Sequence, residues 1–506
     1  MDRIDARRAL LAAAIVGIVA QAVLVHAPLG LNVTILVAVT LIAGIILAGG
    51  VRRVDPLDAW LPIAAVIIAG SIALRSDPAL VFLDAVTAAS LLSASMAALA
   101  GAAVTRRTIV AIIALGTVVL AWMIGGALRV VVAARRAPNA SGWRSRLPQR
   151  ALPVLRGLAI ALPVLAVFVA LFSSADAIFA TLAGGLFDWR LDLDDLTLRA
   201  AIAFAVAWLV AGLLAVAAGD AGVQPGNPTP RMQSLGAAVV EPVPLLPRLG
   251  VTEAVTVLVA VDLLFAAFVA LQVAYLFGGL DTIAAGGITY ANYARRGFFE
   301  LVAVTMLAGG LIVGLLAVVS DRTRSFVAAA VSLSALNLVV LASAALRLRV
   351  YQEAYGWTEL RFYIYATIGW LAICIVAAII LLIRDRMRWL PHAMTIAAVV
   401  VLATANGVGP QRLVADENVA RLLNPALVPA DGRAGLDLDY AMSLGDDAVP
   451  ALVAALPALT RSERGGLLEE LRGRWDDLRE DDAMAWPGWN LARERARAAL
   501  ATVFDR

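Results

Sequence analysis

Long apolar runs separated by short polar breaks fill the chain as far as residue 409, after which the pattern changes. A helix crossing the hydrocarbon of a bilayer needs about 20 mostly apolar residues. Runs of that kind fall near 9–26, 30–49, 59–74, 79–100, 108–133, 151–173, 197–219, 251–277, 298–319, 325–348, 361–383 and 391–409. They predict an all-α, polytopic membrane helical bundle of about 11–13 transmembrane helices. The weakest run is 59–74, which is short and contains Pro62. Two breaks are long: the basic "ARRAPNASGWRSRLPQR" at 134–150, and a proline-rich stretch at 220–250. From Gln411 onward the pattern is one of short amphipathic pieces bounded by Gly, Pro or Asp, such as "DENVARLLN" and "RGGLLEELRGRWDDLRE". These predict a small C-terminal soluble helical domain. The expected organisation is an N-terminal transmembrane group at 1–150, a core bundle at 151–410 and a helical tail at 411–506.

Composition supports the membrane reading. The chain is 61% apolar and 16% charged, where a soluble domain is about half apolar and a quarter charged. Its opening "MDRIDARRALLAAAIVGIVAQAVLV" resembles a signal peptide, but another long apolar run follows at once, so it is expected to be a retained first span. All 41 basic residues are arginine; 12 of them, with 17 of the 38 acids, lie after residue 410. The membrane part is therefore basic and the tail acidic, and no clustered basic patch suits nucleic acid.

Arginine bias in the loops sets orientation. It places 134–150, "SDRTRS" and "RDRMR" on the cytoplasmic side, and "FDWRLDLDDL", the loop containing "QEAYGWTE" and the tail outside. The N-terminal "DARR", "VRRVD" and "TRR" join the cytoplasmic set only if one early run does not cross, and 59–74 is the first choice for removal. Whichever run is removed, the loops after 173, 277 and 348 and the tail are each two spans apart. They are expected to share one face.

On that face "TYANYARRGFFELV" presents Tyr290, Tyr293, Arg295, Arg296 and Glu300, while "RLRVYQEAYGWTELRFYIY" presents Glu353, Glu359 and Arg361 among several tyrosines. The two clusters read as an interfacial aromatic and arginine belt, as ion pairs locking the loops, or as a polar site for an anionic or zwitterionic ligand. Arg295 or Arg296 would reach Glu353 or Glu359, and Glu300 would reach Arg361. Asp262 sits at the centre of an apolar run, where it costs roughly 2.5–3.5 kcal/mol on insertion scales, so a partner inside the bundle is expected. Arg129, Arg156 and Asn337 are the candidates, with Gln272 further along the same helix. Asp84, nearer a span end, can reach the interface. The single cysteine, Cys374, and the two separated histidines, His26 and His392, offer no metal site, and no cofactor motif or catalytic signature is present. The acids of "LDLDDL" at 191–196 read as solvated charge, or as metal-binding acids of a membrane transferase.

The runs "VDLLFAAFVALQVAYLFGG…ITYANYARRGFFELVAV", "YGWTELRFYIY" and "NPALVPADGRAGLDLDYAMSLGDDAVPAL" resemble a bacterial multi-pass membrane family defined only as a domain of unknown function, over roughly 151–506. The resemblance implies a family core in the second half, an extracytoplasmic helical tail and a bacterial plasma membrane location, with no assigned activity. Function then divides between an accessory, sensory or scaffold protein whose outer face meets a membrane-protein partner or small ligand, a transporter with Asp262 in its path, and a membrane-embedded transferase.

Overall fold

The computed structural model describes residues 3–106, 109–135, 193–220, 250–277, 298–319, 322–429, 432, 435–482 and 486–505. Among them the only regular structure is helical, as the apolar pattern requires. Eight helices are long and apolar enough to cross a membrane, and three more apolar helices are shorter. The run at 151–173 lies outside the described residues.

The described residues form two compact units. The first holds α1 (Arg3–Leu24), α2 (Leu31–Leu47), α3 (Trp60–Ser71), most of α4 (Pro78–Leu99), α5 (Ile109–Arg135) and α6 (Leu193–Ala217), together with the turn at 486–490. Small residues let these helices approach closely, which is how helices pack where lipid is as apolar as their side chains. Gly212 on α6 lies so near the α5 backbone at Trp122 and Met123 that a Cβ there would overlap it.

The run at 59–74, the first choice for removal from the crossings, holds α3, one of the three shorter apolar helices. Its twelve residues rise only about 18 Å, less than a hydrocarbon thickness. Even so, it joins the two ends of its unit. Just before it, the buried Asp58 carboxylate accepts from Val104 N at 2.8 Å and Thr105 N at 2.9 Å, in the loop that ends α4. At its far end, Ala69 O accepts from Thr34 Oγ1 at the start of α2, and Ile72 O from Asn490. The loops that follow α2 and α4 therefore share an end.

The second unit holds the first residues of α4 and then α7 (Val251–Phe277), α8 (Phe298–Val318), α9 (Arg324–Tyr355), α10 (Glu359–Ile383), α11 (Leu390–Val408), α12 (Pro410–Leu423), α13 (Leu438–Ser443), α14 (Val449–Ala455), α15 (Arg461–Asp482) and α16 (Leu491–Phe504). The long α9 is central, with α7, α8 and α10 packed on it. Leu258, Leu301, Phe326, Leu333, Leu341 and Leu348 fill the interior, while Leu263, Leu264, Leu307 and Ile383 stay exposed on the outer faces. An apolar outer face is what lipid demands, and it explains why these sequences show little amphipathic contrast.

α10 and α11 form a hairpin whose turn is tied by Arg322 Nη1 to Asp385 Oδ1 at 2.9 Å. The hairpin returns the chain to the end where α9 stops and α10 begins. The loop after 348 and the tail thus share an end, as expected, whereas the loop after 277 lies outside the described residues. Helices α12–α16 gather around their own apolar core, including Val414, Val419, Leu444, Leu452, Leu471, Trp475 and Leu500. α15 opens with a reciprocal cap: Thr460 N donates to Glu463 Oε2 at 3.0 Å and Glu463 N to Thr460 Oγ1 at 3.4 Å.

Candidate functional site: a buried polar junction

A helix end leaves carbonyls without partners and carries partial negative charge, so cations are favoured there. The C-terminus of α9 is met by two arginines. Arg421 on α12 donates from Nη1 to Glu353 O at 2.6 Å and from Nη2 to Ala354 O at 3.3 Å, and Arg361 on α10 donates to Gly356 O. The Arg361 guanidinium also lies 4.3 Å from the Tyr351 ring centroid, a cation–π contact. Gly356 ends α9 with φ at +82°, and Thr358 starts α10 by accepting from Arg361 N. Between them, Asn418 on α12 behaves like a piece of backbone. It accepts from Trp357 N at 2.8 Å and donates to Trp357 O at 2.9 Å.

Beside this cap runs a second set of bonds. Arg75, in the segment that leads into α4, spreads its guanidinium over three acceptors: Asn406 O at 2.7 Å, Gly407 O at 2.9 Å and Asp447 Oδ1 at 3.0 Å. Arg75 and Asp447 are each only 5% exposed. Asp447 Oδ2 accepts from Ser76 N at 3.0 Å. Asp77 caps α4 through Ala79 N and Leu80 N, and its other oxygen accepts from Tyr363 OH at 2.6 Å. Glu359 accepts from Gln411 Nε2 at 2.9 Å, Gln411 accepts in turn from Gly445 N, and Glu359 N donates to Tyr440 OH at 2.8 Å.

Carboxylate, guanidinium, amide and phenol groups from four chain segments thus interlock at one end of the second unit. Burial alone would make such charges costly; they persist because each faces a partner of opposite polarity. Burial and the nearby Arg361 guanidinium lower the Arg421 pKa below the usual arginine range. Burial pushes the Tyr440 phenol up, so the folded state favours its neutral form. A group raised on folding contributes stability below its unfolded pKa, about 10 for tyrosine, and loses it as pH climbs through the folded value. The tail is therefore expected to loosen above about pH 10, and Tyr440→Phe should flatten that alkaline loss in melting curves. An unchanged alkaline limb would disconnect Tyr440 from it.

Of the residues singled out in the sequence, Glu359 and Arg361 lie in this junction. Glu353 reaches it through its carbonyl, while its carboxylate pairs with Arg349 at 2.8 Å. Tyr290, Tyr293, Arg295 and Arg296 lie outside the described residues, as do the side chains of Gln272 and Glu300. The pairing expected between the two clusters therefore lies outside them too. Arg75, Asp77, Gln411, Asn418, Arg421, Tyr440 and Asp447 were missed. The sequence signal for the first two was "LRSDP", an Arg and an Asp held between two apolar runs.

Asp262 lies apart from this site, on α7 and within hydrogen-bond reach of Ser332 on α9. Its Oδ1 is buried and makes no hydrogen bond. Of its expected partners, Arg156 lies outside the described residues, Arg129 stacks on Trp122, and Asn337 donates to Thr305 O at 3.2 Å. Asp84 is fully buried instead of reaching the interface. Because Asp262 faces a neutral hydroxyl, with no cation beside it among the described residues, Asp262→Asn should leave the detergent melting temperature within about 1 kcal/mol equivalent of wild type. A large loss in that variant would reveal a charged partner. Among the described residues no group of three or more His, Cys, Asp or Glu side chains is placed to hold a metal.

A helical bundle with lipid-facing apolar surfaces and a polar junction at one end defines a polytopic integral membrane protein. The family described as a domain of unknown function, DUF4153, matches residues 63–455, and the chain belongs to it. No curated protein and no solved structure matches the sequence. The match corrects the extent expected from the resemblance: it begins inside α3, well before 151, and ends with α14, leaving out α15 and α16. It encloses every partner named in the junction, from Arg75 to Asp447.

Proposed function

We propose that the protein is an accessory scaffold or sensor of a bacterial plasma membrane, with its tail on the extracytoplasmic side, and that the junction couples the tail to the ends of the membrane helices. The observation that carries this reading is the Arg75–Asp447 pair with its carbonyl partners Asn406 and Gly407: a buried charge cluster that fastens the tail to the segment opening α4. Such a cluster suits holding and transmitting position better than binding a solute, since its donors and acceptors are occupied by one another. Arg295, Arg296, Tyr290, Tyr293 and Glu300 would extend the same face toward a partner or small ligand. Orientation follows from the arginine bias: an exported phosphatase fused after Arg506 should be active, and a fusion fluorescent only in the cytoplasm would reverse it.

A second reading, a transporter, is favoured by the unbonded Asp262 Oδ1 within the bundle. Proteoliposomes separate the two. The scaffold reading expects no proton or sodium flux above empty vesicles, together with native co-purification of a membrane partner that is lost in Arg75→Ala and retained in Asp262→Asn. Gradient-driven flux abolished by Asp262→Asn would replace the scaffold with a transporter.

A further inference from the structure

The turn at 486–490 belongs to the tail in sequence but packs in the first unit, against the loop between α1 and α2. Leu31 N donates to Trp489 O at 3.1 Å, and Gly488 sits against Pro28 so closely that a Cβ would lie 2.8 Å from the proline ring. Asn490, buried, donates to Ile72 O at 2.9 Å. On the other side Asn32, fully buried, shapes the loop by donating to Val23 O and Pro28 O and accepting from Gly30 N. Two short segments are thus fixed into one rigid knob at the ends of two apolar helices.

That knob leaves its largest apolar side chains outside. Trp486 is 70% exposed, Leu29 52% and Trp489 44%. Neither "APLGL" at 27–31 nor "WPGWN" at 486–490 contains an Asp, Glu or Arg, although the tail as a whole is densely charged. α1 ends at Leu24 and α2 begins at Leu31, so the exposed side chains lie just beyond the ends of helices whose outer faces, at Leu11, Ile15, Ile18, Ile42 and Ile46, are already apolar and exposed. The patch lies beyond the ends of these apolar helices, where the chemistry of a bilayer changes: tryptophan, with an apolar ring and one N–H, favours the layer where headgroup and acyl chain meet.

We propose that Leu29, Trp486 and Trp489 form a membrane-interface pad that inserts into the headgroup and ester layer of the bilayer, holding the turn at 486–490 down on the membrane. The partner is phospholipid, recognised through its interfacial layer and not through a charged headgroup, because the pad carries no charge. None of its residues belongs to the junction, and it does not rest on the function proposed above.

The test uses the full-length protein in phosphatidylethanolamine and phosphatidylglycerol vesicles. Trp486→Cys, Leu29→Cys and, as an exposed tail control, Glu469→Cys are each made in a Cys374→Ala background and labelled with an environment-sensitive fluorophore; Cys374 itself is buried in α10. The expected result at 486 and 29 is quenching by shallow nitroxide lipids several-fold stronger than at 469, with protection from aqueous iodide. Iodide access equal to that at 469 would overturn the pad. So would protection from both quenchers, which would mean that protein covers the patch. Leu29→Cys keeps the test decisive if the change at Trp486 disturbs folding.

Discussion

Arg75→Ala should be among the most damaging single substitutions in the chain. It removes one partner of a buried ion pair and leaves the Asp447 carboxylate facing only Ser76, a change that costs about 3–5 kcal/mol in comparable sites. It also strips the hydrogen bonds from Asn406 O and Gly407 O, carbonyls at the C-terminal end of α11. Asp447→Asn should be milder, because an amide oxygen can still accept from the guanidinium while the arginine keeps both carbonyls. The measurement is the melting temperature in detergent, paired with limited proteolysis that follows release of the tail. Equal behaviour of Arg75→Ala and wild type in both assays would mean that the Arg75–Asp447 pair does not hold the tail in place. The intact pair is not thereby a large net stabiliser, since desolvating both charges offsets much of their attraction.

The helical bundle was legible because its cause is one-dimensional. Twenty apolar residues in a row have few other fates, and a change to short amphipathic segments marks where lipid ends. α3 was harder: Pro62 and twelve residues make a poor span, and only the bonds from Asp58 and Ala69 show that it joins the two ends of its unit. The junction was half legible. Glu359 and Arg361 drew attention as charges against an apolar run, but their partners did not. Gln411 and Asn418 look like ordinary surface residues of an amphipathic helix, and Arg75 and Asp447 stand 372 residues apart. Nothing in local sequence links a charge to one so distant. The link is made by the return of α10 and α11, which depends on the whole hairpin. Asp262 drew Arg129, Arg156 and Asn337 as candidate partners because charges are costly in lipid; among the described residues a serine lies opposite it.

Gly356→Ala should release the tail while leaving the membrane helices folded. At φ +82° and ψ −174° the backbone of Gly356 lies in a region that is essentially closed to any residue with a Cβ, at a cost of order 1–3 kcal/mol. Space is closed as well as angle. A Cβ there would sit 2.6 Å from Asn418 Oδ1. That oxygen has no freedom to retreat, since Asn418 is pinned by bonds to both Trp357 N and Trp357 O. Relief therefore requires either moving α12 away or re-forming the end of α9, and both carry Arg421 off the Glu353 and Ala354 carbonyls. The interior of the bundle, packed around Leu333, Leu341 and Leu348, lies further down α9 and is untouched. Proteolysis should then cut between α11 and α12 in the variant while the fragment ending at α11 remains intact in detergent. Asn418→Gly in the same chain removes the clash but not the backbone strain, so it should restore only part of the protection. Full restoration would show that contact with Asn418, and not the angle at 356, sets the position of the tail.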